Sequence, residues 1–192
     1  NLFLKTYVIT ILDKDTYLKK IYVNLFSTFV QNLNKMNRKV RILLVVTTCL
    51  LIGFLSSKVT QQSINTWYPT LIKPFFNPPN WVFAPVWTIL FIMMGFSGEM
   101  IWNHLENSPD EVKKAFTFFI VQLGLNALWS YLFFGLQNPL LALIEIILLW
   151  LMIFETYNQF QKINKTASLL LIPYLAWVSF ATLLNFSIWW LN

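Results

Sequence analysis

The chain has 192 residues, 14 basic and 8 acidic side chains, one His and one Cys, together with 9 Trp, 7 Tyr and 18 Phe. Charged residues make up 11%, apolar residues 57%, and the mean hydropathy is +0.58, where an ordinary soluble domain is about one quarter charged. That balance excludes a disordered tail, a collagen-like repeat and a disulfide scaffold. It also leaves too little polar surface to cover a water-soluble globule, so the class is integral membrane protein.

Residues 1–35 carry five Lys and two Asp but no span. They read as an extension upstream of a natural start near Met36. A second reading is a basic amphipathic helix on the membrane surface, with Tyr17, Ile21 and Leu25 on one face beside Lys19 and Lys20. Residues 36–192 form one domain. Five apolar runs, at about 42–59, 81–103, 115–134, 139–160 and 167–191, each approach the roughly 20 helical residues a bilayer needs. Strand-like alternation is absent, so the fold class is an all-α bundle of five transmembrane helices.

The first connection, Thr60 to Asn80, is the outlier. It holds Trp67-Tyr68 and the run Lys73-Pro74-Phe75-Phe76-Asn77-Pro78-Pro79-Asn80-Trp81. Its prolines forbid a regular helix, and its aromatics do not favour water. The spacing predicts a loop folded back as a cap over one end of the bundle. Between the second and third runs, Ser108-Pro109-Asp110-Glu111 reads as a helix N-terminus with acids in its first turn. Gly135 to Asn138 predicts a tight turn with Pro139 opening the next helix, which makes the third and fourth helices an antiparallel hairpin.

Lys35, Arg38, Lys39, Arg41, Lys113, Lys114, Lys162 and Lys165 fall on one side of the membrane, and Lys58 and Lys73 on the other. The basic excess is therefore orientation, not nucleic-acid binding. It places the N-terminal side in the cytoplasm and the aromatic loop outside. A bacterial cell membrane fits this count, with the mitochondrial outer membrane as the alternative.

One His and one Cys cannot assemble the usual zinc or copper site. His104 reads as a solvated loop residue, and Cys49 as a small core or lipid-facing one. The sequence offers no conventional catalytic constellation, which leaves the question of an enzymatic activity open. Trp81, Trp102, Trp189 and Trp190 lie at span ends and suit an interfacial belt. Trp87, Trp129, Trp150 and Trp177 fall inside spans, where two readings stand side by side: packing, or the wall of a pocket for a flat apolar ligand. Trp87 and Phe91 share a helical face, as do Gln122, Asn126 and Trp129, and Trp177, Ala181 and Asn185. Amides there are either interhelical glue or the polar points of a small-molecule pocket. Glu145 lies within the fourth span. An acid there costs about 2.5–3.5 kcal/mol on insertion scales, so it should face the bundle, as a structural hydrogen bond or a functional group. Glu99 and Glu155 lie nearer span ends, within reach of the interface. Gly95-Phe-Ser-Gly98 and Gly124-Leu-Asn-Ala127 allow close helix approach and give a weak dimer signal.

The run Trp67-Tyr68-x-x-Leu71-x-Lys73-Pro74-x-Phe76-x-Pro78-Pro79-x-Trp81-Val82-Phe83-x-x-Val86-Trp87-x-x-Leu90-Phe91 resembles the signature of the tryptophan-rich sensory protein/translocator protein (TspO/MBR) family. Gln122-Leu-x-x-Asn126-x-x-Trp129, Ala142-Leu143-x-Glu145, Pro173-Tyr174-Leu175-x-Trp177 and Ala181-Thr182-x-x-Asn185-Phe186 are similar to its later helices. The resemblance covers about residues 40–192. It implies five membrane helices, frequent homodimers, and binding of porphyrins such as protoporphyrin IX, with sterols and benzodiazepine-type drugs in some members. The porphyrin is then a ligand and no cofactor is expected. Carried over, Trp87, Asn126 and Trp177 match pocket positions, with Phe91, Gln122 and Ala181 beside them, under a lid of Trp67, Phe75 and Phe76. Trp87 and Trp177 also match the tryptophans linked to light-dependent porphyrin breakdown. Phe75 and Phe76 stand where relatives often have Trp, and Phe186 to Asn192 lacks the basic residue of a sterol-recognition motif. His104 lies outside the matched pocket, which favours free-base porphyrin over haem. Lys73 is placed to meet a propionate. The expected function is a porphyrin-binding membrane receptor or sensor with light-dependent degradation as an extension; the alternative is a transporter of porphyrins, sterols or other amphiphiles.

Overall fold

Five stretches are long and apolar enough to cross a bilayer, and each is helical. The computed structural model describes residues 36–192; the readings of residues 1–35 lie outside them. In chain order the helices are α1 (Arg38–Ser63), α2 (Asn80–Trp102), α3 (Pro109–Ser130), α4 (Pro139–Ile163), α5 (Lys165–Leu169) and α6 (Ile172–Leu191). No strand occurs among the described residues. The residues from Ile42 to Asn192 form one unit.

Local chemistry explains the boundaries. Ser108 precedes α3, Pro109 occupies its first turn, and Asp110 and Glu111 sit where the helix dipole favours acids. At its other end α3 widens into a π-helical turn, Tyr131–Gly135, in which the Leu136 N–H reaches back to the Tyr131 carbonyl at 2.8 Å. Gln137 then takes φ 53°, which reverses the chain. The Asn138 side chain caps α4 by accepting from the Leu141 N–H at 3.0 Å, with Pro139 next.

The fifth apolar run, expected to be continuous from 167 to 191, is two helices. Pro173 has no N–H to donate, and its ring crowds the carbonyl four residues earlier. Helix α5 therefore stops at Leu169 and α6 starts at Ile172. Ser97 of α2 donates to the Ala167 carbonyl at 2.7 Å just before this break, which supplies a partner that lipid cannot.

Helices α3 and α4 share the largest interface; α4 also packs on α5 and α6, and α2 on α3 and α5. Met94, Ile101, Ile153, Phe160 and Tyr174 are fully buried where these helices meet. Helix α1 is seated by close backbone approach. A Cβ on Gly95 would stand 2.5 Å from Val46 Cα, and one on Gly98 would stand 3.2 Å from the Val45 and Phe119 side chains. The close approach expected at these glycines is thus made within the chain. Leu43, Leu51, Leu55, Ile120 and Leu183 face outward, the inverted pattern a bilayer-spanning bundle needs.

The first loop folds back as expected. Tyr68 is buried against Phe133 and Phe134, with ring centroids 6.4 and 5.8 Å away. Ser63 donates to the Phe134 carbonyl at 2.7 Å. Further along, Asn192 clasps Ile72 twice: its Oδ1 accepts from the Ile72 N–H at 2.9 Å, and its Nδ2 donates to the Ile72 carbonyl at 3.0 Å.

Candidate functional site

Beneath that loop lies a cavity of about 540 Å³ between α1, α2, α3 and α6, within the roughly 300–1,000 Å³ of ligand pockets. Its inner wall is aromatic. Trp87 packs on Phe91 at 5.8 Å and edge-on to Tyr174 at 6.1 Å. Trp177 packs edge-on to Phe83 at 6.1 Å and against Phe180 at 5.6 Å. Trp129 stacks on Phe133 at 5.2 Å. Such rings offer broad flat faces at low rotamer entropy.

Polar groups in this wall are mostly committed to each other. Asn126 Nδ2 donates to the Tyr174 hydroxyl at 2.9 Å. Trp129 Nε1 donates to Asn185 Oδ1 at 3.0 Å, and Asn185 Nδ2 donates to the Pro139 carbonyl at 2.8 Å. Trp177 Nε1 is buried with no acceptor. Tyr68 closes the loop end, its hydroxyl donating to Asn77 Oδ1 at 2.8 Å. Burial pushes the Tyr68 phenol above its ordinary value, and the Asn77 bond opposes this. Among the described residues no Lys, Arg, His, Asp or Glu lines the cavity.

Trp87, Phe91, Asn126, Trp177 and Ala181 all line this cavity. Gln122 does not. It sits one turn away from Asn126 along α3, fully buried, with Nε2 3.9 Å from Met94 Sδ and Oε1 unpartnered. The expected lid residues are also outside the lining. Trp67 packs edge-on to Phe133 at 5.6 Å, Phe76 lies 6.3 Å from Phe180, and Phe75 is fully exposed. The 3-10 turn Tyr68–Thr70 turns Tyr68 inward, and Phe75 packs on Phe76 at 5.4 Å outside the cavity lining. Glu145 is buried in α4, outside the lining, with neither carboxylate oxygen hydrogen-bonded. Glu99, expected at the interface, is instead buried at the level of Gly98 and Ile101, because this part of α2 faces the bundle. Cys49 is a core residue. His104 is half-buried outside the cavity, with Nδ1 2.9 Å from the Met100 carbonyl.

Sequence reasoning missed the α1 wall. Leu50, Phe54, Ser57, Gln61 and Ile64 line the cavity at helical spacing. Ser57, Thr60 and Gln61 in an otherwise apolar span were the available signal.

The profile of the TspO/MBR family matches residues 45–191. The chain belongs to the TspO/MBR family. It is 46% identical over 162 residues to the tryptophan-rich protein TspO of Chlorobaculum tepidum, covering 82% of this chain and 99% of that protein. To the tryptophan-rich protein TspO of Archaeoglobus fulgidus it is 48% identical over 143 residues, 74% of this chain and 91% of the relative. To the translocator protein of Bos taurus it is 36% identical over 137 residues, 71% and 81% of the two chains. TspO/MBR membership and five membrane-spanning helices agree with each other: the profile, over residues 45–191, covers all five spans apart from the first seven residues of α1.

Proposed function

We propose that this protein is a membrane receptor or sensor that takes a porphyrin of the protoporphyrin IX type, or a similar flat apolar ligand, into the cavity beneath its first loop. The observation that carries this reading is the wall itself: Trp87 and Trp177 stand on separate helices in apolar surroundings. A flat aromatic ligand gains ring contacts from such a wall. Light-dependent breakdown of the bound porphyrin, with Trp87 and Trp177 as participants, is the extension that illumination tests. In this reading the protein lies in a bacterial cell membrane with the loop outside.

The test is a titration of the detergent-solubilised protein with protoporphyrin IX in the dark, followed by Trp fluorescence. Saturable quenching that weakens in Trp87→Phe and Trp177→Phe is the expected result. Absence of saturable quenching overturns the receptor reading. Illumination of the complex then gives either loss of porphyrin absorbance that depends on Trp87, or none.

A second reading is translocation of an amphiphile through the bundle. It is favoured by the exposed side of the cavity, where Phe54, Gln61, Ala84 and Thr88 line the space and reach the outer surface. Ligand movement across sealed vesicles would separate it from sensing.

A further inference from the structure

The cavity has a direction. Its deep end is bounded on α1 and α2 by Leu50, Gly53 and Phe91, and its loop end by Ser57, Gln61 and Asn80. Two cations stand at that loop end, each held over a ring that lines the cavity. Lys58 Nζ lies 4.9 Å from the centroid of Phe54, and Lys73 Nζ lies 4.7 Å from the centroid of Tyr68. Neither pairs with an acid among the described residues. Lys58 is exposed and follows Phe54 by one helical turn, at the margin of the lining face; Lys73 is half-buried in the loop.

The interior cannot hold a carboxylate, because no basic side chain lines it and an unpaired buried charge is prohibitive. We propose that Lys58 and Lys73 form a two-point anion rim, which selects amphiphiles that carry acidic groups on one edge of a flat apolar body. The body enters with its apolar edge toward Phe91, and the acids stay at the loop end. Each ammonium is held by a cation–π contact, worth about 0.5–1 kcal/mol at an exposed site, and a carboxylate displaces that contact readily. The rim rests on the receptor reading above and deepens it: it ranks dicarboxylic ligands over their neutral esters.

The test compares protoporphyrin IX with its dimethyl ester in the dark, by quenching of Trp fluorescence. It uses the wild type, Lys58→Ala, Lys73→Ala, the double alanine variant, and Lys58→Arg. Expected at low salt is a loss of about threefold to tenfold in affinity for the free acid per lysine removed, retention in Lys58→Arg, and no change for the ester. High salt should narrow the gap between acid and ester. Equal losses for acid and ester would make the lysines structural and overturn the rim. Saturable binding of the acid that ignores both lysines overturns the rim and leaves the receptor reading standing. A wild type that binds neither compound removes both.

Discussion

Asn126 and Tyr174 meet at 2.9 Å on the inner side of the cavity, amide to phenol, and the Tyr174 ring in turn braces the edge of Trp87. This joins α3 to α6 and fixes the orientation of Trp87 through a fully buried group. Tyr174→Phe keeps the ring and deletes the acceptor, which leaves the Asn126 amide unpaired. The expected cost is about 1–2 kcal/mol, read as a lower unfolding midpoint in detergent. Ligand affinity should fall by severalfold as well. An unchanged midpoint would show that the bond does not hold the two helices.

The glycines provide an internal comparison. Gly95→Ala places a methyl against Val46 backbone, where nothing can rotate away. It should separate α1 from α2 and cost about 1–3 kcal/mol. Gly124 meets nothing within 4 Å and is exposed. Gly124→Ala should be neutral or stabilising by about 0.5–1 kcal/mol through helix propensity. Thermal unfolding of the two variants in one detergent checks the contrast; similar behaviour would mean that α1 is not seated by this approach.

The Asn192 clasp holds the loop with two hydrogen bonds to one residue's backbone. Asn192→Ala removes both, together with the bond its Nδ2 donates to the Ile188 carbonyl at 2.8 Å, and changes no side chain of the cavity wall. Ligand association and dissociation should each accelerate, by about threefold to tenfold if roughly 1 kcal/mol of restraint is lost, with little change in equilibrium affinity. Stopped-flow quenching separates this from a binding defect, which would change affinity with it.

Glu145 is buried with both oxygens unpartnered. A carboxylate that supplied a structural hydrogen bond would cost stability on removal. The geometry favours a gain: Glu145→Leu should raise the unfolding midpoint, by about 1–3 kcal/mol of relieved desolvation. A lower midpoint would reveal a partner that this residue supports. A higher midpoint with lost ligand response would assign it to function.

Length, hydropathy and turn chemistry made most of the fold legible. The Ser108-Pro109-Asp110-Glu111 start and the Asn138-Pro139 start are local signals, written in consecutive residues. The break at Pro173 was equally local; it lay hidden inside an unbroken apolar run. The cavity was legible where a polar or aromatic residue interrupts a span at helical spacing, as at Trp87, Asn126 and Trp177. The lid was not. Whether Tyr68 or Phe75 turns inward depends on a short 3-10 turn and on packing against Phe133 and Phe134, residues far away in sequence. Gln122 shows the complementary limit: sharing a face with Asn126 placed it inside the bundle, and one helical turn put it past the end of the cavity.

The widened turn at Tyr131–Gly135 carries one residue more than an α-helical turn would use. That surplus acts as a phase shifter. Removing a single residue there would let the helix close normally, and everything beyond would rotate by about 100°. Phe134 would swing away from Ser63, the Asn138 N–H would lose the Leu132 carbonyl it donates to at 3.1 Å, and Phe133 would leave the loop above it. The segment tolerates side-chain changes on its exposed side, but its length is fixed, because three separate contacts are timed by it.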